Sequence, residues 1–160
     1  MEKELEQKIQ STTINVSMLR GLVITNAVSI EAFIGAIIAN YFVKSDKHSD
    51  FSTTALSDPF FSFGLKVNIL RKIMRKINFS HYKTFRDDLD KMWRLRNRFA
   101  HSMMFGFDGE LIYDKGENPM EKKKAKEMYD EFILLYPKVM GELEKLFWHI
   151  IGKPRPVSEK

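Results

Sequence analysis

One stretch of the sequence limits the possible folds more than any other. Residues 21–43, GLVITNAVSIEAFIGAIIANYFV, carry a single charged side chain, Glu31. A stretch of this length and apolarity is either a transmembrane helix or the buried central helix of a soluble bundle. Asn26, Ser29 and Asn40 would add further polar groups across the middle of a membrane, where a carboxylate is already costly. The sequence therefore favours the buried helix, with a membrane span as the less favoured alternative.

The length and the lack of cysteine restrict the class of protein. With 160 residues, the chain is long enough for one domain with a sizeable core. Because it contains no cysteine, disulfides, thiolate metal sites and a cysteine nucleophile are excluded. The charged N-terminus lacks the layout of a secretory signal, so we expect a cytoplasmic protein. We predict a single helical domain over residues 1–152 and a flexible tail over residues 153–160.

Hydrophobic periodicity predicts three helices in the first two thirds of the chain. The first runs from Glu2 to about Lys44, and residues 45–59 form a loop rich in turn and cap residues. The second lies within FFSFGLKVNILRKIMRK, residues 60–76, and the third runs from about Phe85 to Met103. The predicted apolar stripe of the second helix consists of Leu65, Ile69, Leu70, Ile73 and Ile77.

The last third of the chain begins with a turn-rich insert. Asp108-Gly109 lies between short apolar runs and predicts a small hairpin. A last helix follows from about Met120 to Ile151, with an apolar stripe of Met128, Phe132, Leu135, Val139, Leu143 and Leu146. We therefore predict an all-α, up-and-down bundle of four or five helices with a short loop or hairpin insert before the last helix.

Positive charge is concentrated in the middle of the chain. The net charge is +5, but residues 66–101 contain eleven Lys or Arg against three Asp, a local balance of +8. A basic centre of this kind indicates a polyanionic partner such as RNA, although a solvated helix face has the same composition. The candidate RNA-binding residues are Lys66, Arg71, Lys72, Arg75, Lys76 and Arg98.

The stretch RLRNRFAHSMM, residues 94–104, places one arginine where a helix should be apolar. At about 100° per residue, Arg96 lies in the middle of the stripe formed by Phe85, Leu89, Met92 and Phe99. A guanidinium facing a core requires a charged or hydrogen-bonding partner, because its desolvation is expensive. The lone carboxylate of the apolar helix, Glu31, is the obvious candidate. One interpretation is therefore a structural Arg96–Glu31 bridge.

The alternative interpretation is a catalytic site. Asn97 and His101 lie one turn apart and off the stripe, towards the polar side of the helix. Histidine suits acid–base work near neutral pH, and arginine presents a planar fork to phosphate oxygens. On an ideal helix, however, Arg96 and His101 diverge by roughly 140°. They share a site only if Arg96 reaches around the helix, the helix end distorts, or a second chain completes the site.

The pattern Arg-Asn-x-x-x-His near the end of a late helix resembles the HEPN superfamily, in particular its abortive-infection and toxin-like branch. AVSIEAFIGAII resembles that superfamily's early helix, and FFSFGLKVNILRKI followed by LRNRFAHS is also similar to mannitol-repressor-type regulators. The resemblance covers roughly residues 20–103. In the HEPN toxins that are paired with nucleotidyltransferase antitoxins, a tyrosine commonly stands two residues after the histidine. Here that residue is Met103, and Tyr113 is not its equivalent.

The resemblance implies a metal-independent endoribonuclease that needs no cofactor. Its implied catalytic residues are Arg96 on the phosphate, His101 as acid and base, Asn97 beside it, and Glu31 orienting Arg96. It also implies a homodimer in which two motifs build one cleft, and an antitoxin or another protein as a possible partner. The mannitol-repressor likeness implies instead a non-catalytic module that binds RNA, a nucleotide or a protein. A purely structural dimerisation bundle is the third alternative.

Overall fold

The computed structural model describes the backbone of residues 2–102, 104–105, 110–113 and 121–152, and the side chains of residues 15–102 and 124–152. The chain is an all-α helical bundle, as its periodicity predicted. The long helices are α1 (Glu2–Phe42), α3 (Phe63–Lys76), α4 (Tyr82–His101) and α5 (Ala125–Ile151). The predicted tail, residues 153–160, lies outside the described residues.

The segment between α1 and α3 is more regular than predicted. It contains a 3-10 turn (Ser45–Lys47), the short helix α2 (His48–Phe51) and a π-helical turn (Ser52–Leu56). Hydroxyl groups stabilise these turns, and the side chain of Thr53 donates to the carbonyl of Ser49 at 2.9 Å. Leu56 at the end of the segment is buried. The turn-forming residues were recognised in the sequence, but the helical turns that they make were missed.

The insert before α5 is a small antiparallel sheet of three strands. β1 (Met104–Phe105) pairs with β2 (Glu110–Tyr113), so the predicted hairpin is confirmed. β3 (Glu121–Lys124) pairs with β2 on its other side and was not predicted. For this reason α5 begins at Ala125, five residues later than expected.

The chain divides into two compact units. Unit 1 comprises residues 1–27 and 90–136, and unit 2 comprises residues 28–89 and 137–160, so α1, α4 and α5 each contribute to both. The described core of unit 1 consists of Val16, Val23, Ala27, Met92, Leu95, Phe99, Ala125, Met128, Phe132 and Leu135. Apolar residues at spacings of three and four place these side chains on one face of each helix.

The core of unit 2 confirms one predicted stripe and corrects another. The α5 positions of the predicted stripe are buried in both units, from Met128 to Leu146. On α3, by contrast, Leu65 is 39% exposed, although it was predicted to be part of the core. Leu70 and Ile73 of the predicted stripe are buried, whereas Ile69 and Ile77 are partly exposed. The buried face of α3 consists of Phe63, Lys66, Val67, Leu70, Ile73 and Met74. Ser62 sets the start of this helix, because its hydroxyl accepts a hydrogen bond from the Leu65 backbone N–H at 3.3 Å.

The apolar part of α1 has the character of a core helix. By length and composition alone, Asn15–Phe42 is able to cross a membrane, with a mean hydropathy of 2.0 in its most apolar window, of which 44% is buried. The core helix of a soluble protein meets the same criteria. In unit 2 the buried α1 residues Ile30, Ile34 and Ile37 recur at helical spacing. Val28, which lies in the sequence between the buried residues Ala27 and Ile30, is 57% exposed. One face of α1 is therefore buried, while another presents apolar side chains such as Val28 and Phe42 at the surface.

Candidate functional site

The residues of the predicted motif lie at the C-terminal end of α4, in unit 1. Met92 and Phe99 are fully buried, as the helical wheel predicted. Leu95, between them, is also buried, with 2% of its surface exposed. Arg96 and Asn97 are partly exposed, and His101 is exposed. The motif therefore follows the core face of α4 and turns towards solvent at its end.

The side chain of Arg96 bends towards the polar side of the helix. Its Nη1 donates a hydrogen bond to Oδ1 of Asn97 at 3.1 Å. Asn97 is one helical turn before His101, so this hydrogen bond brings the guanidinium to the side of α4 on which His101 lies. Arginine is long enough to bury its aliphatic stem and keep its charged end in a polar environment. Of the three ways in which Arg96 could share a site with His101, the first, reaching around the helix, is the one that this contact supports.

His101 is the last residue of α4. Its neighbour Ser102 continues the helical hydrogen bonding, because the Ser102 backbone N–H donates to the carbonyl of Arg98 at 3.0 Å. Ser102 is 7% exposed, whereas the imidazole of His101 faces solvent. The imidazole of His101 is therefore accessible from solvent at the end of α4.

Sequence reasoning missed Arg20, which binds the same helix end. Its Nε donates to the Phe99 carbonyl at 2.6 Å, and its Nη2 donates to the carbonyl and the hydroxyl of Ser102 at 2.8 and 3.0 Å. The signal was present in the sequence, since Arg20 lies four residues after Val16 and three before Val23, both buried. The same argument that singled out Arg96 in an apolar stripe applies to Arg20.

The predicted bridge between Arg96 and Glu31 is corrected by the contacts of Glu31. Lys66 Nζ lies 2.7 Å from Glu31 Oε1, and the side chains are 11% and 27% exposed. Lys66 is therefore the cation beside Glu31, where the sequence led us to expect Arg96. This pairing of α1 with α3 within unit 2 gives Glu31 a structural role, and it removes the basis for assigning Glu31 the task of orienting Arg96.

The same ion pair changes the expected set of RNA-binding residues. Lys66 is buried and engaged by a carboxylate, so it does not fit the prediction of an RNA contact. Lys72, Arg75 and Lys76 are exposed on the last two turns of α3. Nε of Arg75 donates to the hydroxyl of Tyr82 at 2.5 Å.

The two remaining basic candidates are less accessible. Arg71 is partly buried, and its Nη1 donates to Oδ1 of Asn68 at 3.0 Å. Burial lowers the pKa of the Arg71 guanidinium from its ordinary value, and the charge of Arg86 adds to this effect, while Tyr82 opposes it. Arg98 in unit 1 is also partly buried. Both have further interactions within the protein, so Lys72, Arg75 and Lys76 are the predicted RNA-binding residues that are exposed.

Two surface grooves are described in unit 2. One, of about 340 Å³, is lined mainly by charged and polar side chains, including His81, Asp88 and Glu142. The other, of about 640 Å³, is apolar and aromatic, with Phe33 and Trp148 in its walls. The residues of the Arg96–His101 motif line neither groove. Within the part of the chain whose side chains are described, no group of three or more His, Asp or Glu is arranged to hold a metal ion.

Some sequence predictions fall on residues outside the description. The apolar residues that follow the motif, Met103, Met104, Phe105 and Phe107, predict either a dimer surface beside His101 or a cap on the core of the bundle. Met103, the side chains of Met104 and Phe105, and Phe107 lie outside the described residues, as does the side chain of Tyr113. Comparison of the chain with protein-family models, with curated proteins and with solved structures finds no match in any of the three. Membership of the HEPN superfamily therefore stays a prediction that rests on the motif and on the order of the helices.

Proposed function

We propose that this protein is a metal-independent endoribonuclease that acts in the cytoplasm, in a defence or toxin–antitoxin setting. The observation that carries the proposal is the hydrogen bond from Arg96 to Asn97, which directs a guanidinium to the side of α4 that presents the exposed His101. A cation suited to phosphate and a histidine suited to proton transfer thereby lie on one helix end.

The chemistry uses the RNA's own 2′-hydroxyl as the nucleophile. An imidazole of His101 takes the proton of the 2′-hydroxyl, and the oxygen attacks the adjacent 3′-phosphate. The bond between phosphorus and the 5′-oxygen breaks, and that oxygen takes up a proton. Arg96 stabilises the charge that builds on the phosphate oxygens, and Asn97 holds its guanidinium. The products are a 2′,3′-cyclic phosphate and a 5′-hydroxyl.

A homodimer completes the proposed enzyme. Two copies of the motif facing one cleft would supply one imidazole as base and a second as acid, a division of labour that a single His101 achieves only by shuttling its proton. Lys72, Arg75 and Lys76 would bind the RNA backbone through contacts that depend on salt and carry little sequence information. An antitoxin or another protein partner would then control the activity.

The proposal is tested by RNA cleavage in the presence of EDTA. Purified wild type and His101→Ala are incubated with a mixture of structured and single-stranded RNA. We expect wild type to cleave and His101→Ala to lose activity while its circular dichroism and melting temperature are unchanged, because His101 is exposed. The new 5′ ends should accept phosphate from polynucleotide kinase without prior dephosphorylation, which identifies them as hydroxyls.

His81→Ala is the matched control for the loss of an exposed histidine, and a contaminating nuclease would cleave equally in all the samples. His81→Ala removes another exposed histidine, one that lies in unit 2, and should cleave like wild type. Equal cleavage by wild type and His101→Ala would contradict the proposed role of His101. The absence of cleavage by a well-folded, dimeric wild type, across several RNA classes, would contradict the enzyme itself.

A second candidate, a module that binds RNA without cleaving it, is favoured by the exposed basic surface on α3. Lys72, Arg75 and Lys76 form this surface, which belongs to unit 2. A binding module should retain salt-dependent RNA affinity in His101→Ala, and its wild type should leave bound RNA intact. Gel-shift and cleavage assays on the same samples distinguish the two functions.

A further inference from the structure

We infer that Arg20 is a positioning residue for His101, an inference that rests on the proposed ribonuclease function for its consequence in catalysis. Arg20 comes from α1 and reaches the residues on both sides of His101. It has no place in the motif, and the chemistry described above does not use it. Its contacts instead determine how the helix end that carries His101 is held.

The contacts form a clamp around the last turn of α4. One edge of the guanidinium, through Nε, donates to the Phe99 carbonyl two residues before His101. The same edge, through Nη2, donates to the Ser102 carbonyl and hydroxyl one residue after His101. The hydroxyl of Ser102 in turn donates to the Phe99 carbonyl at 3.4 Å. His101 is thus held between two residues that are both bound to one rigid, planar group.

A helix end needs such partners. The last four carbonyls of an α-helix receive no hydrogen bond from an N–H group within the helix, and a buried carbonyl without a donor is costly. Phe99 and Ser102 are 0% and 7% exposed, so water has little access to these residues. The positive charge of Arg20 also complements the partial negative charge at the C-terminal end of α4. Without Arg20 the last turn, including His101, would fray.

Only arginine provides this geometry. A guanidinium spans two acceptors with donors fixed in one plane, whereas a lysine ammonium is a single point with freely rotating donors. Lysine at position 20 would keep the charge and reach one carbonyl, but not brace both sides of His101. Glutamine would lose the charge and the span. Comparison of Arg20→Lys with Arg20→Gln therefore distinguishes the effect of the two-sided hydrogen bonding from the effect of the positive charge.

The first arm of the test measures position without measuring activity. NMR amide exchange and the ring and Cβ signals of His101 are recorded for wild type, Arg20→Gln, Arg20→Lys and Ser102→Ala. We expect Arg20→Gln to accelerate exchange of the Ser102 amide by about tenfold, the loss of a charge-assisted hydrogen bond, and to average the His101 side-chain signals. The exchange rate of the Ser102 amide in Arg20→Lys should lie between the rates in wild type and in Arg20→Gln. Ser102→Ala should have a smaller effect than Arg20→Gln, because the hydrogen bonds from Arg20 to the two carbonyls remain.

A matched control tests whether the effect is local. Lys91→Gln removes a cation on α4 in the same unit, one that pairs with Glu131 at 2.5 Å, and should leave the Ser102 and His101 signals unchanged. If Arg20→Gln also leaves them unchanged, the inference is overturned. Should Arg20→Gln fail to fold, Arg20→Lys and Ser102→Ala decide the same question.

The second arm measures single-site RNA cleavage by the same variants. Because a general base works only within a narrow geometry, kcat of Arg20→Gln should fall by about tenfold while KM changes by less than about twofold. An altered His101 signal with an unchanged kcat would show a merely structural contact and overturn the positioning role. If wild type does not cleave any RNA, the proposed function fails, and the first arm still decides whether Arg20 positions His101.

Discussion

Replacing Lys66 by methionine removes an ammonium group from the core of unit 2 and keeps most of the volume of the side chain. The carboxylate of Glu31 then loses the hydrogen bond and the charge that lie 2.7 Å away. Because Glu31 is only 27% exposed, water replaces Lys66 incompletely. We therefore expect Lys66→Met to lower the free energy of unfolding.

The size of the effect follows from the burial of the two groups. At 2.7 Å and an effective dielectric constant of about 20, the attraction of the pair is about 6 kcal/mol, and the desolvation of both ions offsets most of it. Breaking a fully buried pair costs about 3–5 kcal/mol, whereas an exposed pair contributes about 0–1 kcal/mol. The exposure of Glu31 places Lys66→Met between these limits, at about 2 kcal/mol.

Urea unfolding followed by tryptophan fluorescence and circular dichroism measures this difference. For a urea dependence of about 2 kcal/mol per molar, the midpoint should fall by about 1 M. The matched control is Lys72→Met, the same substitution at an exposed position of α3, which should change stability by less than about 0.5 kcal/mol.

A double-mutant cycle with Glu31→Gln isolates the interaction. We expect the double variant Glu31→Gln/Lys66→Met to be more stable than the sum of the two single effects predicts, by about 1–2 kcal/mol, because neither charge is then left without its partner. Additive effects, or an equal cost for Lys66→Met and Lys72→Met, would refute the reasoning that Lys66 is a structural partner of Glu31.

Two further predictions concern the basic surface and the proline in α5. Lys72→Gln should reduce the slope of log Kd against log salt for single-stranded RNA by about 0.7, the loss of one phosphate contact, while Lys126→Gln in unit 1 should leave the slope unchanged in the same titration. Pro137 is exposed and lies inside the helix α5. Pro137→Ala should restore a backbone N–H donor and raise the free energy of unfolding by about 1–2 kcal/mol. A lower urea midpoint for Pro137→Ala than for wild type would refute this prediction.

The fold was predictable from the sequence wherever one helix face carries the apolar residues without interruption. The stripe of α5 has no polar member, so its period alone identified the core. On α3 apolar residues occur on more than one face, so the predicted stripe shares only Leu70 and Ile73 with the buried face, which also contains Lys66. β3 escaped prediction because Glu121–Lys124 is a charged stretch without the alternation of a strand, and it is held by pairing with β2.

The candidate site was predictable in part. Periodicity marked Arg96 as a residue in need of a partner and placed Asn97 and His101 together on the polar side. It could not assign partners, because pairing between helices depends on their packing and not on the pattern of either one. Arg20 and Lys66 are both cations in apolar stripes, and each binds residues that are distant in the sequence.

The hydrogen bonds of Arg20 join residues 79 and 82 positions apart, which gives the end of α4 a particular place in the order of folding. Closing so long a loop costs conformational entropy that only later contacts recover, so the clamp should form after the helices have begun to pack. During synthesis Arg20 is made long before Ser102, and no nascent chain shorter than 102 residues contains both. A substitution at Arg20 should therefore act chiefly on the rate of unfolding and leave the rate of folding almost unchanged. The geometry around His101 is a property of the finished fold, and partly synthesised chains do not have it.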